Sequence, residues 1–264
     1  MKNFLYKNFK IKKELGQNFL IDYNVKNNII NYINLKENDT IFEIGPGFGH
    51  LTEFLFKHVK KLSVIEIDDK LTYFLKKKFF NKRINIFNKN VLKFNFFKYN
   101  TSNNLIRIVG NLPYNISVPI IFHCLSFIKI IKDIHFMVQY EVGNKISAPV
   151  NNKFYSKLSI FVQYYFLVKK IFKIDSKSFY PSPKVKSYFI KLIPRKKNIY
   201  KKININNFKY IVSTAFQQRR KILKNSLSKI FSENTLINLG INPFLRAQNL
   251  TILEYCVLTE NFSK

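Results

Sequence analysis

Cysteine occurs only twice in the 264 residues, at Cys124 and Cys256, too few for a disulfide framework. No Cys/His cluster has zinc-ligand spacing, so the expectations are a reducing compartment and no metal. Long apolar runs are also lacking. The N-terminus, MKNFLYKNFKIKK, has no continuous apolar stretch of the signal type, and the most apolar segment, Val118 to Val138, is broken by His123, Lys129, Lys132 and Asp133. A membrane partner is therefore excluded and a cytoplasmic location expected. No repeat of solenoid period is present. Neither an exposed heptad nor a long apolar face calls for a dimer, so a monomer is expected.

Acid is scarce too, with 15 Asp+Glu against 45 Lys+Arg, and the resulting net charge of +30 invites a polyanionic partner. Arginine appears at only Arg83, Arg107, Arg195, Arg219, Arg220 and Arg246, so the excess is almost all lysine. Lysine, with the abundant Asn, Ile, Phe and Tyr, is encoded by AT-rich codons. The overall charge therefore carries reduced weight, and each arginine carries more. Disorder is excluded by 47% hydrophobic and 16% aromatic residues against 23% charged.

Asp22 is placed to cap a helix running to about Asn34, with Val25, Ile29, Ile30 and Ile33 on one face. Strand-like runs follow at Thr40 to Ile44, Leu62 to Ile67, Ile84 to Phe87, Leu105 to Val109 and Ile134 to Gln139. Helical stretches lie between them, near His50 to Lys57, Asp69 to Phe80 and Ser117 to Phe127. Apolar strands alternating with helices predict an α/β, doubly wound, mostly parallel sheet of the Rossmann-like kind. After Ile193 the pattern changes. The basic segment Pro194 to Lys202 reads as a linker, and Phe208, Ile211, Val212, Ala215 and Phe216, then Ile222, Leu223, Leu227 and Ile230, recur at helical spacing. The expected organisation is a large domain over 1–193 and a small all-helical domain over 194–264.

Only seven glycines occur, and three of them, Gly45, Gly47 and Gly49, fall in the run EIGPGFGHLT. Glycine is required where backbone turns tightly and approaches a ligand with no side chain between. This turn follows a first strand, where open α/β sheets bind ligands. A dinucleotide fingerprint, G-x-G-x-x-G, would need glycine where His50 stands. The G-x-G-x-G form preceded by Glu43 resembles instead the S-adenosylmethionine loop of class I methyltransferases. Glu66, ending the next strand, is placed to accept ribose hydroxyls.

Gly110-Asn111-Leu112-Pro113-Tyr114 follows the fourth strand. The exocyclic amine of a nucleobase is a poor nucleophile because its lone pair is delocalised into the ring. The Asn111 side-chain oxygen and the Leu112 main-chain carbonyl are suited to accept both N–H hydrogens and so localise that pair. Pro113 stiffens the turn, and Tyr114 offers a ring to stack on the base. No strong general base is then needed, because the methylated ammonium loses its proton to water.

Taken together, LGQNFLID (Leu15 to Asp22), FEIGPGFGHLT (Phe42 to Thr52), VIEID, GNLPYNIS, FYPSPKV (Phe179 to Val185) and AFQQRRKILKNSL (Ala215 to Leu227) resemble, over nearly the full chain, the ribosomal RNA adenine N6,N6-dimethyltransferases. The similarity is to the bacterial small-subunit branch associated with kasugamycin sensitivity. It implies that Asn18 and Leu20 close over S-adenosylmethionine, Gly45 and Gly47 line its binding loop, Glu66 holds the ribose, and Asn111 contacts both cofactor and target amine. Tyr114 and Phe179 are implied on the two faces of the target adenine. The implied substrate is a pair of adjacent adenines in the 3′-terminal hairpin of 16S rRNA within the small (30S) subunit. A target inside folded RNA must be swung out to reach such a pocket.

The chain also departs from that pattern. Asn90 stands where the family usually has an aspartate toward the cofactor's adenine amine, so weaker cofactor binding with adenine recognition kept is expected. The run Gln139-Tyr140-Glu141 and Lys186 depart likewise, at peripheral contacts. Candidate RNA contacts are Lys7, Lys10, Lys12 and Lys13, Arg195 to Lys197, and above all Arg219, Arg220 and Lys221, since arginine is scarce and its fork suits phosphate. Lys76 to Lys78 read as a solvated face, and the four histidines as structural or solvated. The competing readings are an RNA-binding small-subunit assembly factor with weak catalysis, and a large-subunit rRNA dimethyltransferase. The latter commonly carries NIPY where Leu112 stands here.

Overall fold

The computed structural model describes residues 9, 11–100, 104–195 and 203–262; the expected contacts at Lys7, Lys10, Lys196 and Lys197, and the side chain of Lys13, lie outside the described residues. In chain order the elements are β1 (Phe19–Leu20), α1 (Tyr23–Ile33), β2 (Thr40–Ile44), α2 (Thr52–Phe56), β3 (Lys61–Glu66), α3 (Asp69–Lys78), β4 (Ile84–Asn88), α4 (Phe96–Tyr99), β5 (Ile106–Asn111), α5 (Ser117–Leu125) and β6 (Ile131–Gln139). There follow α6 (Tyr140–Ser147), α7 (Lys157–Tyr165), β7 (Phe166–Ile174), β8 (Phe179–Tyr180), β9 (Ser187–Pro194), α8 (Ile205–Gln217), α9 (Leu223–Ser226), α10 (Glu233–Asn238) and α11 (Ile252–Glu260).

Seven strands form one sheet in the order β4-β3-β2-β5-β6-β9-β7, and β1 pairs with β8 in a separate two-stranded sheet. β2 runs parallel to β3 and β5, β3 to β4, and β5 to β6, while β9 returns antiparallel beside β6. All five residues of β2 are buried, as a strand covered on both faces requires. Ile44 stands opposite Ile65 on one side and Gly110 on the other, so the carboxyl ends of β2, β3 and β5 are level. That register brings the loop at Gly45, the end of β3 at Glu66 and the end of β5 at Asn111 to one edge of the sheet.

Local signals explain the first helix. Asp22 caps α1 by accepting from the Asn24 and Val25 amides, Ile29, Ile30 and Ile33 are buried, and Asn34 closes the helix in the left-handed conformation. At the amino end of the sheet lies a buried charge cluster that the sequence did not announce. Arg107 donates to Asp133 at 2.7 and 2.9 Å, to Asp39 at 2.8 Å and to the Ile33 carbonyl at 2.7 Å. Burial disfavours the charged form of Asp133, but its bonds to His135 and Arg107 outweigh this and hold it well below the ordinary carboxylate range.

The chain divides into two compact units, Met1–Gly143 with Lys169–Ile193, and Asn144–Val168 with Pro194–Lys264. The expected boundary at 193/194 therefore leaves residues 144–168 on the wrong side. Tyr155 and Ile160 are buried in one cluster with Phe208, Ile211, Val212, Ala215 and Leu258, and the Tyr155 hydroxyl donates to the Leu250 carbonyl at 3.1 Å. The helical face expected on α8, Phe208, Ile211, Val212, Ala215 and Phe216, is buried throughout. β7 and β9 were not read as strands, because lysines at 169, 170, 173 and 191 interrupt their apolar pattern. Among the described residues no helix is long and apolar enough to cross a membrane.

Candidate active site

The backbone after β2 takes left-handed conformations at Gly45 (φ +67°) and Gly47 (φ +57°). A Cβ on Gly47 would stand 2.7 Å from the Phe19 ring, which leaves no room for any other residue. The Gly47 amide then points to Glu66, donating to Oε2 at 3.2 Å, while the Ile67 and Asp68 amides donate to Oε1 at 2.9 and 3.0 Å. Three backbone donors thus fix the carboxylate, although burial pushes its pKa up. Beneath it, Glu43 accepts from Thr52 Oγ1 at 2.7 Å. Burial, with the Glu66 charge adding to it, pushes Glu43 up to about 8, so this acid is neutral at pH 7 and serves as part of the wall.

The cavity at this edge is lined by Asn18, Leu20, Gly45, Gly47, Glu66, Asn90 and Asn111, together with Pro113. All seven residues implied for the cofactor are therefore assembled around one space. The sequence did not single out Ile67 and Val91, which line it between Glu66 and Asn90. Ile67 is 47% exposed, an apolar side chain kept at the cavity mouth directly after the strand's acid, and that placement was its signal. These two apolar walls suit a planar purine. His50 also lines the cavity, and burial, with Lys78 adding to it, pushes its pKa down to about 4, leaving a neutral ring.

Asn90 lines the same wall and caps a one-turn helix, its Oδ1 accepting from the Leu92 amide at 2.9 Å. One lone pair of that oxygen is thereby used, and one remains. The segment before β1 is tied across the cavity by Asp68. Gln17 Nε2 donates to Asp68 at 2.9 Å, Lys12 Nζ lies 3.1 Å from it, and the Gln17 Oε1 accepts from the Lys12 amide at 2.8 Å. Burial opposes the charge on Asp68, yet the bonds from Lys12 and Gln17 hold it below its ordinary value. Lys12, expected among the RNA contacts, pairs here with Asp68.

At the end of β5 the Asn111 Nδ2 donates to the Asn18 carbonyl at 2.6 Å. A backbone carbonyl only accepts, so the amide orientation is settled and Oδ1 is left as an unspent acceptor. The next carbonyls divide in the same way. Pro113 O accepts from the Ile116 amide and Tyr114 O from Ser117 Oγ as α5 begins, whereas the Leu112 carbonyl accepts nothing among the described residues. Two acceptors on consecutive residues, Asn111 Oδ1 and Leu112 O, thus accept nothing among the described residues; of this turn, Asn111 and Pro113 line the cavity, while Leu112 and Tyr114 do not. Tyr114 holds its ring by a hydroxyl contact of 2.6 Å to Ser187 Oγ, and burial raises its pKa.

Phe179, implied on one face of the target adenine, lies behind β1. Its ring is only 2% exposed and packs in the cluster containing Leu20, Ile174 and Phe189. Leu20, which lines the cavity, is its partner across the β1–β8 pair. In the second unit, Arg219, Arg220 and Lys221 are exposed, and Arg219 also donates to the Lys153 carbonyl at 3.2 Å. Arg195 is committed within that unit, its Nε donating to the Gln163 carbonyl at 2.7 Å. Among the described residues no group of three or more His, Cys, Asp or Glu is arranged to hold a metal ion.

Comparison with known proteins agrees with this arrangement. "Ribosomal RNA small subunit methyltransferase A" of Buchnera aphidicola (Baizongia pistaciae) is 49% identical over 255 residues, covering 96% of this chain and 97% of that protein. The crystal structure of a dimethyladenosine transferase from Plasmodium falciparum superposes with a TM-score of 0.79 at 25% identity, covering 91% of this chain and 95% of the other. The 23S rRNA methyltransferase ErmE, at 22% identity and TM-score 0.73 over 92% of this chain and 99% of its own, shares the fold. The fold is thus the Rossmann-like methyltransferase one expected from the strand and helix pattern. The family described as "Ribosomal RNA adenine dimethylase" matches residues 8–264, and with the glycine loop, the cavity and the Asn111–Tyr114 turn brought together in one unit, the chain belongs to that family.

Proposed function

We propose that this protein transfers methyl groups from S-adenosylmethionine to N6 of two adjacent adenines in the 3′-terminal hairpin of 16S rRNA, acting as a monomer on the small ribosomal subunit in the cytoplasm. The observation that carries the reading is the fixed Asn111 amide, whose donor is spent on Asn18 while its oxygen, like the Leu112 carbonyl, stays free. The cavity fits the cofactor. Glu66 would take the ribose, Asn90 with its remaining lone pair the adenine amine, and Ile67 and Val91 would enclose the purine.

S-adenosylmethionine supplies an electrophilic methyl group on its sulfonium. Asn111 Oδ1 and Leu112 O accept the two N6 hydrogens of the target and draw its lone pair out of the ring. That pair would take the methyl group, the cofactor's sulfur keeping the C–S electrons, and the methylated amine would lose its proton to water. Tyr114, its hydroxyl anchored on Ser187, presents its ring to the base. Phe179 takes the other face of that base. Arg219, Arg220 and Lys221 take backbone phosphates of the RNA.

The experiment is transfer of labelled methyl groups to small subunits lacking these modifications and, in parallel, to large subunits, followed by nuclease digestion and nucleoside identification, for wild type and Asn111→Ala. N6,N6-Dimethyladenosine from wild type alone supports the reading. Cofactor binding without incorporation by wild type favours the assembly-factor alternative, and methylation confined to large-subunit RNA would assign the protein to the other branch.

A further inference from the structure

A second concavity lies at the other end of the strands from the cofactor cavity. Thr40, Lys61 and Ile84, the first residues of β2, β3 and β4, line it with Lys60, Lys82 and Arg83. Lys61 and Glu66 lie five residue steps apart on β3, so the two sites stand about 17 Å apart at roughly 3.3 Å per residue.

Four cationic side chains converge here, and one carboxylate answers them, Glu37, whose Oε1 lies 3.0 Å from Lys60 Nζ. Lys82 sits over the Phe56 ring at 5.9 Å. Lys61 and Arg83 are exposed, and their side chains make no hydrogen bond or ion pair among the described residues. The floor is polar as well. Asn85 Nδ2 donates to Ser63 Oγ at 3.3 Å, which leaves the Ser63 hydroxyl hydrogen as a donor. Like charges gathered around a concave surface repel one another and raise the local concentration of anions.

Arginine decides between a solvated lysine surface and a site. Only six arginines occur in the chain, and the guanidiniums of Arg107 and Arg195 are bonded within the protein. Arg83 resists the lysine-rich composition at the mouth of the pocket and has no protein partner there. Its planar fork matches a phosphate oxygen pair. We infer that this pocket binds phosphodiester groups of the rRNA backbone, anchoring a part of the RNA remote from the target adenine. The inference rests on the proposed RNA substrate. Tyr99, Leu62 and Ile84 complete the lining, but four cations outnumber them, and such a charge surplus suits sugar–phosphate backbone, which is read by charge and not by sequence.

The test uses the full chain with unmethylated small subunits. Subunit binding is measured across a salt series for wild type, Lys61→Gln/Arg83→Gln, Lys61→Glu/Arg83→Glu, and a charge-matched control, Lys76→Gln/Lys77→Gln, on α3. Removing two phosphate contacts should flatten the plot of log affinity against log salt by about 2, with the control unchanged. The glutamate pair should weaken binding further. KM for subunits should rise, while kcat at saturation and cofactor affinity stay at wild-type values. An unchanged slope, or an equal change in the control, overturns the inference. So does protection of the pocket variants' thermal difference by pyrophosphate alone with subunit binding unaltered, which would assign the site to a small free anion. If wild type neither binds nor methylates subunits, the RNA-substrate reading itself fails, and that outcome is distinct from a wild type that works beside an equally good double variant.

Discussion

Asn90→Asp tests the cofactor assignment at a single atom. Asn90 caps the turn after it with φ −72° and ψ 121°, and its Oδ1 accepts from the Leu92 amide. Aspartate caps as well as asparagine, so the fold should hold to within a few tenths of a kcal/mol. What changes is the charge: Oδ1 keeps the Leu92 amide, and the acceptor offered to the adenine amine becomes part of a carboxylate. A neutral hydrogen bond contributes about 1 kcal/mol and one to a charged group about 1.5–3 kcal/mol, so the gain is about 1 kcal/mol, or about fivefold in Kd. Calorimetric titration with S-adenosylmethionine, and with an analogue whose purine lacks the 6-amino group, reads it directly. The variant should bind the natural cofactor about fivefold tighter and the analogue no tighter. Equal affinity of the two proteins for S-adenosylmethionine, or the same gain for the analogue, refutes a role for Asn90 opposite the adenine amine.

Other perturbations probe other links. Asn111→Ala removes both the N6 acceptor and the bond to Asn18, so the single-turnover methylation rate should fall by roughly 10²–10³, the scale of losing one preorganised polar group at the reacting centre. Tyr114→Phe keeps the ring and loses only the Ser187 contact; stability should drop by about 1 kcal/mol in urea titration while the rate stays within a few-fold, whereas Tyr114→Ala should lose far more rate than stability. Arg107→Met leaves Asp39 and Asp133 buried without their shared cation, and the midpoint of urea denaturation should report a loss of about 3–5 kcal/mol. Glu43 sets a pH dependence. Its folded pKa of about 8 exceeds the ordinary 4.5, so between these values the folded state holds more protons than the unfolded one and stability falls as pH rises. Glu43→Gln should lack that slope, gaining on wild type by on the order of a few kcal/mol from pH 5 to pH 8. Parallel pH profiles for the two proteins would remove Glu43 from the buried wall.

Much of the site was legible because its signals are local. Asp22 and Asn34 frame α1 by capping and left-handed closure, which depend on neighbours within a turn. Scarce glycines marked the loop after β2, and Asn111-Leu112-Pro113-Tyr114 marked the turn after β5, since turn chemistry is written in consecutive residues. Less visible were β7 and β9, whose lysines break the alternation that announces a strand. Residues 144–168 were assigned to the wrong unit because helical spacing says that Tyr155 and Ile160 are buried, not against what.

By itself the sequence determined the α/β order of the first unit, the helical character after Ile193, the cofactor loop and the kind of chemistry its Asn-Leu-Pro-Tyr turn can perform. Tertiary structure alone decided which lone pairs are left to do it. Asn111 is oriented by the carbonyl of a residue 93 positions earlier, and Phe179 is paired with Leu20 across two short strands. Arg107 gathers Asp39 and Asp133 only once β5 and β6 lie side by side. Periodicity and turn propensity act over a few residues, whereas hydrogen-bond partners and burial follow from strand register and packing between segments distant in the chain, and those exist only in the folded molecule.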